Sequence, residues 1–346
     1  MKILYIILFT LLISICLNVN AQDLHFSQIR NTPLLQNPSF AGKADGDIRA
    51  VVNHKSQWGN VISNPYQTYG ASFDMRFDNK DIFFGGGISI YSDVSGASKM
   101  RNTLVNLTAS YHVKINKQNY ISGGLQAGIN QKSIEGNKLR FDNQFDGSGH
   151  NAGINSNENL LNITEIKPTV SAGISYMFSN VFGKKTSRSV QEKKTINIGL
   201  AVHHFNTPSF HFASQEKLGL KYIANFEGSY KSLTSQWTIK PLALIALQNK
   251  ASDIVIGSLF EHSIKSASQL AYFRTVIIGI GTYYRFKDAL IPTFQLQVDS
   301  FAFGFSYDAN ISELSKASNG KGGFEISLKY VSNNIQNGRK SRARFF

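Results

Sequence analysis

The chain has 346 residues, 42% apolar, 12% aromatic and only 17% charged; Lys plus Arg number 36 against 22 Asp plus Glu, a formal net charge of +14. Cysteine occurs once, at Cys16, which excludes a disulfide framework and any multi-cysteine zinc or iron–sulfur site. Low charge with many aromatics, 28 Gly and 7 Pro argues against disorder and against a helical bundle, and points to a β-rich chain.

Residues 1–21 form a predicted signal peptide. Lys2 supplies the positive start, Ile3 to Leu17 is an almost unbroken apolar run, and Val19-Asn20-Ala21 offers a cleavage site after Ala21. The run is short for a spanning helix, which needs roughly 20 apolar residues. Ile15 before Cys16 is too bulky for a lipid-attachment signal. Cleavage leaves a mature chain with no cysteine, suited to an oxidising compartment.

The mature chain alternates with period 2, which puts one residue class on each face of a strand. In 68–77, Tyr69, Ala71, Phe73, Met75 and Phe77 share one face, opposite Thr68, Gly70, Ser72, Asp74 and Arg76. Val105, Leu107, Ala109, Tyr111 and Val113 alternate with Asn106, Thr108, Ser110, His112 and Lys114. Near the end, Phe301, Phe303, Phe305 and Tyr307 alternate with Ala302, Gly304, Ser306 and Asp308, and Phe324, Ile326 and Leu328 with Glu325 and Ser327. The pattern predicts about fourteen strands: 46–54, 67–77, 82–93, 101–114, 119–133, 166–178, 194–204, 218–231, 235–248, 251–263, 272–286, 290–298, 300–310 and 321–331.

A soluble sandwich or propeller would alternate too. Many of these strands, however, run ten residues or longer, near the roughly 9–11 needed to cross a bilayer at a tilt, whereas soluble strands average about 5–6. Apolar faces often end in Tyr or Phe, as at Tyr111, Tyr176, Phe178, Tyr283 and Tyr330, like an interfacial girdle. No four-stranded unit repeats at a propeller period. The expected fold is therefore all-β, an antiparallel transmembrane β-barrel of about 14 strands over 46–331. It is preceded by a periplasmic or plug segment at 22–45 and followed by a basic tail at 332–346. An even strand count puts both termini on one, periplasmic, side. The odd connections (55–65, 93–100, 134–165, 205–217, 311–320) then face outward, and the shorter even turns face the periplasm, with 179–193 as a longer exception.

Several stretches occur in an ordered series. Gln22-Asp23-Leu24-His25-Phe26-Ser27-Gln28 is followed by Leu35-Gln36-Asn37-Pro38-Ser39-Phe40-Ala41-Gly42 and by Asn53-His54-Lys55-Ser56-Gln57-Trp58. Then come Tyr66-Gln67-Thr68-Tyr69-Gly70, Ser122-Gly123-Gly124-Leu125-Gln126, Leu139-Arg140-Phe141-Asp142, Phe305-Ser306-Tyr307-Asp308 and Gly322-Gly323-Phe324-Glu325. Together, over essentially the whole mature chain, they resemble the PorP/SprF family of the type IX secretion system of Bacteroidetes. Leu24 departs from the family pattern, where Pro is expected between the Asp and the His. The resemblance implies an integral outer-membrane barrel that helps deliver or retain a specific secreted cargo protein with a C-terminal sorting domain; in gliding bacteria such cargo includes very large adhesins. It also implies periplasmic partners of the same apparatus, including a peptidoglycan-binding lipoprotein. It supplies no catalytic residues.

No cofactor, metal or catalytic site is expected. His203 and His204 fall on opposite faces of a strand, so with His211 they are expected to be strand-end or loop histidines facing water. Asp142 to Gly147 lacks the alternating oxygens and terminal Glu of an EF-hand. Gly85-Gly86-Gly87 has no Lys-Ser/Thr and opens no helix, so it is no phosphate loop. Ser and His occur at no spacing that singles out a triad. Scattered cations argue against nucleic acid. Two periplasmic basic clusters are solvated or lipid-contacting rims or docking sites for an acidic partner: Lys184, Lys185, Arg188, Lys193 and Lys194, and Arg339, Lys340, Arg342 and Arg344 in the tail. Small inward side chains leave lumen space that residues 22–45, with parts of loops 134–165 and 205–217, are expected to fill or cap. Candidate partner contacts are His25, Phe26, Phe40, Trp58, Tyr66 and Tyr69, with interfacial anchoring equally open for Trp58 and the tyrosines. The function expected is noncatalytic export and surface retention of cargo; the alternative is an outer-membrane diffusion channel or hydrophobic-ligand transporter.

Overall fold

The computed structural model describes residues 24–59, 64–79, 82–96, 99–135, 139, 141–151, 153–155, 163–180, 192–211, 215–265, 275–312 and 320–332. The expected signal peptide at 1–21, residues 22 and 23, the stretches between these ranges and residues 333–346, with the basic residues they carry, lie outside them. The described residues form a closed antiparallel barrel of fourteen strands. In chain order its first seven strands are β1 (Ile48–Gln57), β2 (Tyr66–Asn79), β3 (Ile82–Ser95), β4 (Met100–Lys114), β5 (Asn119–Ile134), β6 (Ile163–Ser179) and β7 (Lys193–His203). A small hairpin, β8 (Ser209–His211) with β9 (Gln215–Lys217), interrupts the series. The barrel resumes with β10 (Lys221–Lys231), β11 (Trp237–Gln248), β12 (Ala251–Lys265), β13 (Val276–Arg285), β14 (Ala289–Val298), β15 (Phe301–Asn310) and β16 (Lys321–Ser332). β16 returns to β1, with Ile48 opposite Ser332 and Gln57 opposite Gly323, so the ring of strands closes on itself.

Each barrel strand coincides with one of the fourteen expected from alternation, because the period that fixes a strand also fixes its two faces. The outward face is apolar: Leu107 is 64% exposed, Leu125 65% and Ile280 63%. The inward face buries Asn106, Asn130, Ser306 and Glu325. Such a polar-in, apolar-out wall would be an aggregating surface in water and is satisfied in lipid, where strand-to-strand pairing runs around the closed ring. Among the described residues no helix is long and apolar enough to cross a membrane; the strands, of 10–17 residues, are long enough to do so.

The end where β1 begins is the turn end and the opposite one the loop end. The loop end carries the long connections 135–162 and 204–220, but also the two-residue turn Asn249-Lys250 and the three-residue turn Phe286 to Asp288. The turn end is mostly tight, as at Asp299-Ser300, with longer connections at 180–192 and 266–275. The hairpin β8–β9 leans onto the upper inward face of β5 and β6. Phe210 is buried with the Lys132 ammonium 4.8 Å from its ring centre, and Glu165 accepts the His211 N–H at 2.9 Å. The described part of 141–155, by contrast, is largely exposed and does not fold into the barrel.

Residues 24–47 lie inside the lumen. They begin at the loop end, where Leu24 and Phe26 pack with Tyr91 and Leu104, and Ile29 joins a buried cluster with Ile223, Leu244 and Ala246. The segment turns through two short 3₁₀ turns, Ile29–Asn31 and Pro38–Phe40, around the one-turn helix α1 (Pro33–Gln36), which has Pro at its first position, where no N–H is missed. At the turn end Asp47 donates its N–H to the Ser332 carbonyl and accepts the Arg76 N–H, both at 2.8 Å, and so feeds the chain into β1.

Candidate functional site

The seat of the N-terminal segment is the most elaborate polar site in the barrel, and it has two parts. The first is a patch of inward-facing glycines on β3, β5, β6 and β7. A β-carbon at Gly85 would collide with the Ala41 carbonyl, one at Gly124 with the Pro38–Ser39 backbone, and one at Gly173 with the Asn37 side chain. Gly42, at φ +72°, makes the turn that closes the stretch, and its N–H reaches the Asp74 carboxylate at 2.8 Å. Asn37 is fully buried. Its Oδ1 accepts the Ser39 N–H (2.9 Å) and hydroxyl (2.7 Å), capping the 3₁₀ turn, while its Nδ2 donates to the carbonyls of Ile174 and Leu200, both at 3.2 Å. Asp74 is also gripped by Arg49 at 2.8 and 2.9 Å, and the same guanidinium donates to the Phe40 carbonyl at 3.1 Å. His112, stacked on Phe83 at 4.0 Å, bridges Ser110, Ser122 and the Ala41 carbonyl.

The second part is a buried charge cluster near the loop end. Glu325 on β16 accepts the Ser27 N–H at 2.6 Å and the Gln28 N–H at 3.2 Å, and the Gln28 side-chain amide donates to the Glu325 backbone carbonyl at 2.9 Å. Asp308 on β15 accepts the Ser27 hydroxyl at 2.8 Å and Arg285 at 3.0 Å, and stands 3.4 Å from the Lys55 ammonium. Two cations thus face two carboxylates around Ser27, which is the condition for holding charge away from bulk water. Across the lumen, Arg30 donates to the carbonyls of Gly228 (3.0 Å) and Pro241 (2.5 Å). The segment is therefore tied to opposite walls at several heights, and the arrangement does one thing chemically: it holds a peptide in the lumen.

Of the residues singled out from sequence, Phe26 (4% exposed) and Phe40 (2%) are buried in this seat and His25 is half-buried at the loop end, so a partner reaches Phe26 or Phe40 only by displacing the segment. Trp58 and Tyr66 pack edge-on at 4.8 Å at the loop end, and Tyr69 lies on the outer face against His54, 4.8 Å between rings. Lys193 and Lys194 begin β7 at the turn end and are exposed. Lys194 pairs with Glu192 at 3.3 Å and lies 5.1 Å over the Tyr230 ring. The Tyr230 hydroxyl, 2.6 Å from Glu192, holds that carboxyl below the usual range. Lys184, Lys185, Arg188, Arg339, Lys340, Arg342 and Arg344 fall outside the described residues.

The histidine expectation is corrected. His203 and His204 do not face water but are buried, and His203 Nε2 meets the Gln36 carbonyl at 3.1 Å. The N-terminal segment covers the inward end of β7, and His204, at φ +57°, turns the chain out of the strand. Asp146 caps its own turn: the Ser148 N–H and hydroxyl and the Gly149 N–H bind one carboxylate oxygen and hold the group below its ordinary range. Among the described residues no three His, Cys, Asp or Glu gather as a metal site. Lys55, Arg285, Asp308 and Glu325 were not among the candidate site residues read from sequence, although all but Arg285 lie in the motif stretches quoted there. The available signal was a charge on the inward register of an alternating strand, as at Asp308 and Glu325.

The family model for type IX secretion system membrane protein PorP/SprF matches residues 18–330, and so spans both the lumen segment and the wall that seats it. The chain belongs to the PorP/SprF family. No curated protein matches it. Solved structures similar to this PorP/SprF barrel include the CymD monoaromatic hydrocarbon channel (TM-score 0.43, 10% identity, 88% of this chain and 93% of that one). A FadL homologue of Pseudomonas aeruginosa has TM-score 0.44 and 8% identity, over 85% and 92% of the two chains. The toluene transporter TodX of Pseudomonas putida has TM-score 0.43 and 8% identity, over 91% and 95%.

Proposed function

We propose that this PorP/SprF barrel is a noncatalytic holding component of the outer membrane, supporting export and cell-surface retention of one secreted, adhesin-like cargo with a C-terminal sorting domain. Its loop end would face outward to the cargo. Its turn end, with Lys193 and Lys194 exposed, would engage acidic surfaces of periplasmic components, a peptidoglycan-binding lipoprotein among them. The observation that carries the proposal is the lumen segment: residues 24–47 are bonded to facing walls, which suits a barrel that holds a partner at its rim better than one that conducts through its centre. Deleting the gene is expected to remove one surface protein or release it to the medium while the outer membrane otherwise keeps its proteins. An unchanged surface proteome refutes the proposal. Planar-bilayer recording tests the alternative, because a diffusion channel would show steady conductance from the purified intact chain.

A further inference from the structure

At the loop end β6 rises above its neighbour β7. On one side it is paired with β5 from Phe178, opposite Asn119, up to Ile163, opposite Ile134. On the other it is paired with β7 only from Ser179 up to Ala172, which stands opposite Val202. The stretch 163–171 therefore has a neighbouring strand on one side alone. Successive residues of a strand send their backbone groups to alternate sides. The Ser179 N–H bonds the Gln118 carbonyl, towards β5. Val170 bonds the other way: its carbonyl accepts the Phe205 N–H and its N–H donates to Asn206 Oδ1, both at 3.1 Å. Asn206 Nδ2 then donates to the Pro168 carbonyl at 2.7 Å. The Asn206 carboxamide thus takes the place of one peptide group of a neighbouring strand.

Beyond Asn206 this pairing stops. By alternation Ile166 and Thr164 send their N–H and C=O groups to the same side as Val170, and among the described residues nothing receives them. Pro168 agrees with that direction, since a strand tolerates proline where the missing N–H would face no partner strand. Thr164 and Ile166 are exposed, Ile166 to 56%, and Phe205 at the foot of the stretch is 48% exposed. The inward side is already occupied: Glu165 accepts the His211 N–H and lies 3.5 Å from Lys167. What stays open is a row of two donors and two acceptors beside two apolar side chains. A lipid tail offers no hydrogen bond to the row, and water offers no cover for Ile166 and Phe205. An extended polypeptide offers both, and the Asn206 carboxamide shows that the edge already takes an amide in this register.

We propose that this edge of β6 takes up an extended segment of the secreted polypeptide as an added strand. Its backbone bonds Ile166 and Thr164, continuing from the Asn206 carboxamide, and an apolar residue of it lies beside Ile166. The proposal rests on the reading of the loop end as the cargo-facing end. The probe is acetyl-Thr-Val-Thr-Val-Thr-Val-amide, titrated at millimolar concentration into the full mature chain in detergent micelles while amide exchange is followed residue by residue. In the free chain the Ile166 and Thr164 amides should exchange as open amides, while Glu165 and Lys167, bonded towards β5, stay protected. The peptide should slow Ile166 and Thr164 saturably by roughly tenfold or more, the order of one or two added hydrogen bonds. The same peptide N-methylated at its valines, the residues that would face Ile166, should not. Ile166→Pro removes only the edge donor, as the natural Pro168 does, and should abolish the response at Thr164; Ile166→Val keeps the N–H and should retain it. No slowing, or equal slowing by the methylated peptide, overturns the proposal. So does protection of Ile166 and Thr164 in the free chain, which would make the chain's own connection or a second copy the occupant. In cells, Ile166→Pro inserted at normal abundance should lower cargo retention by roughly tenfold or more. Full retention overturns the edge while leaving the holding function intact, whereas an unchanged surface after gene deletion overturns the holding function regardless of the edge.

Discussion

Replacing Glu325 with alanine tests whether the start of the lumen segment is held by that carboxylate. The Ser27 and Gln28 N–H groups, 2.6 and 3.2 Å from Glu325, would both lose their acceptor in a buried setting. Each orphaned donor costs about 1–3 kcal/mol, so about 2–6 kcal/mol is at stake. Relief of the carboxylate's own desolvation and of its repulsion with Asp308 offsets part of this and places the expected cost near ~2 kcal/mol. At about 1.4 kcal/mol per decade, local opening of the segment's first turns should become roughly 30-fold more frequent. Amide hydrogen exchange of the folded barrel reads this directly: residues 24–32 should exchange roughly 30-fold faster. Residues 37–42, held by Asn37 and Asp74 on the other part of the seat, should change little, within about threefold. Glu325→Gln keeps one acceptor oxygen and should give a smaller effect. Uniform acceleration along 24–42, or none at all, would refute a local carboxylate clamp.

Three further outcomes follow from the same geometry. Asp74→Ala leaves the buried Arg49 guanidinium without its carboxylate and the Gly42 N–H without an acceptor, so barrel stability should fall by about 3–5 kcal/mol, visible as a lower midpoint of heat-modified migration on gels. Gly124→Val forces a side chain into the Pro38–Ser39 backbone; it should cost about 1–3 kcal/mol and increase protease access to the segment, while the outward-facing Gly123→Ala, with open space around it, should do neither. Tyr230→Phe removes the hydroxyl that depresses the Glu192 carboxyl, so its titration followed by ¹³C NMR should move up. Because a depressed carboxyl contributes order above its unfolded pKa and loses it as pH falls through the folded one, the wild-type turn should keep its Glu192–Lys194 contact to lower pH than the variant.

The wall of this protein was legible from sequence because period 2 is a local property. Phe301, Phe303 and Phe305 against Ala302, Gly304 and Ser306 state which side meets lipid without reference to any other strand. Closure follows once fourteen such segments must leave no edge, and the family motifs marked the stretch Asn37 to Gly42 as special. How that stretch is seated in the lumen was not legible. It has no periodicity, and its partners lie far along the chain: Ser27 bonds Glu325 298 positions away, and Asn37 reaches Leu200 across 163. Which glycine faces Ala41, and which carboxylate faces Ser27, depends on strand register summed around the ring, and a slip of one residue would turn each of them into lipid. The buried His203 and His204 were misjudged for the same reason, since only the folded segment shows what covers their end of β7. Sequence alone thus determined a greasy cylinder with a polar lining and lumen space for residues 22–45 to fill or cap; which side chains seat that segment was decided by tertiary structure, where long-range register brings distant polar groups within hydrogen-bond reach.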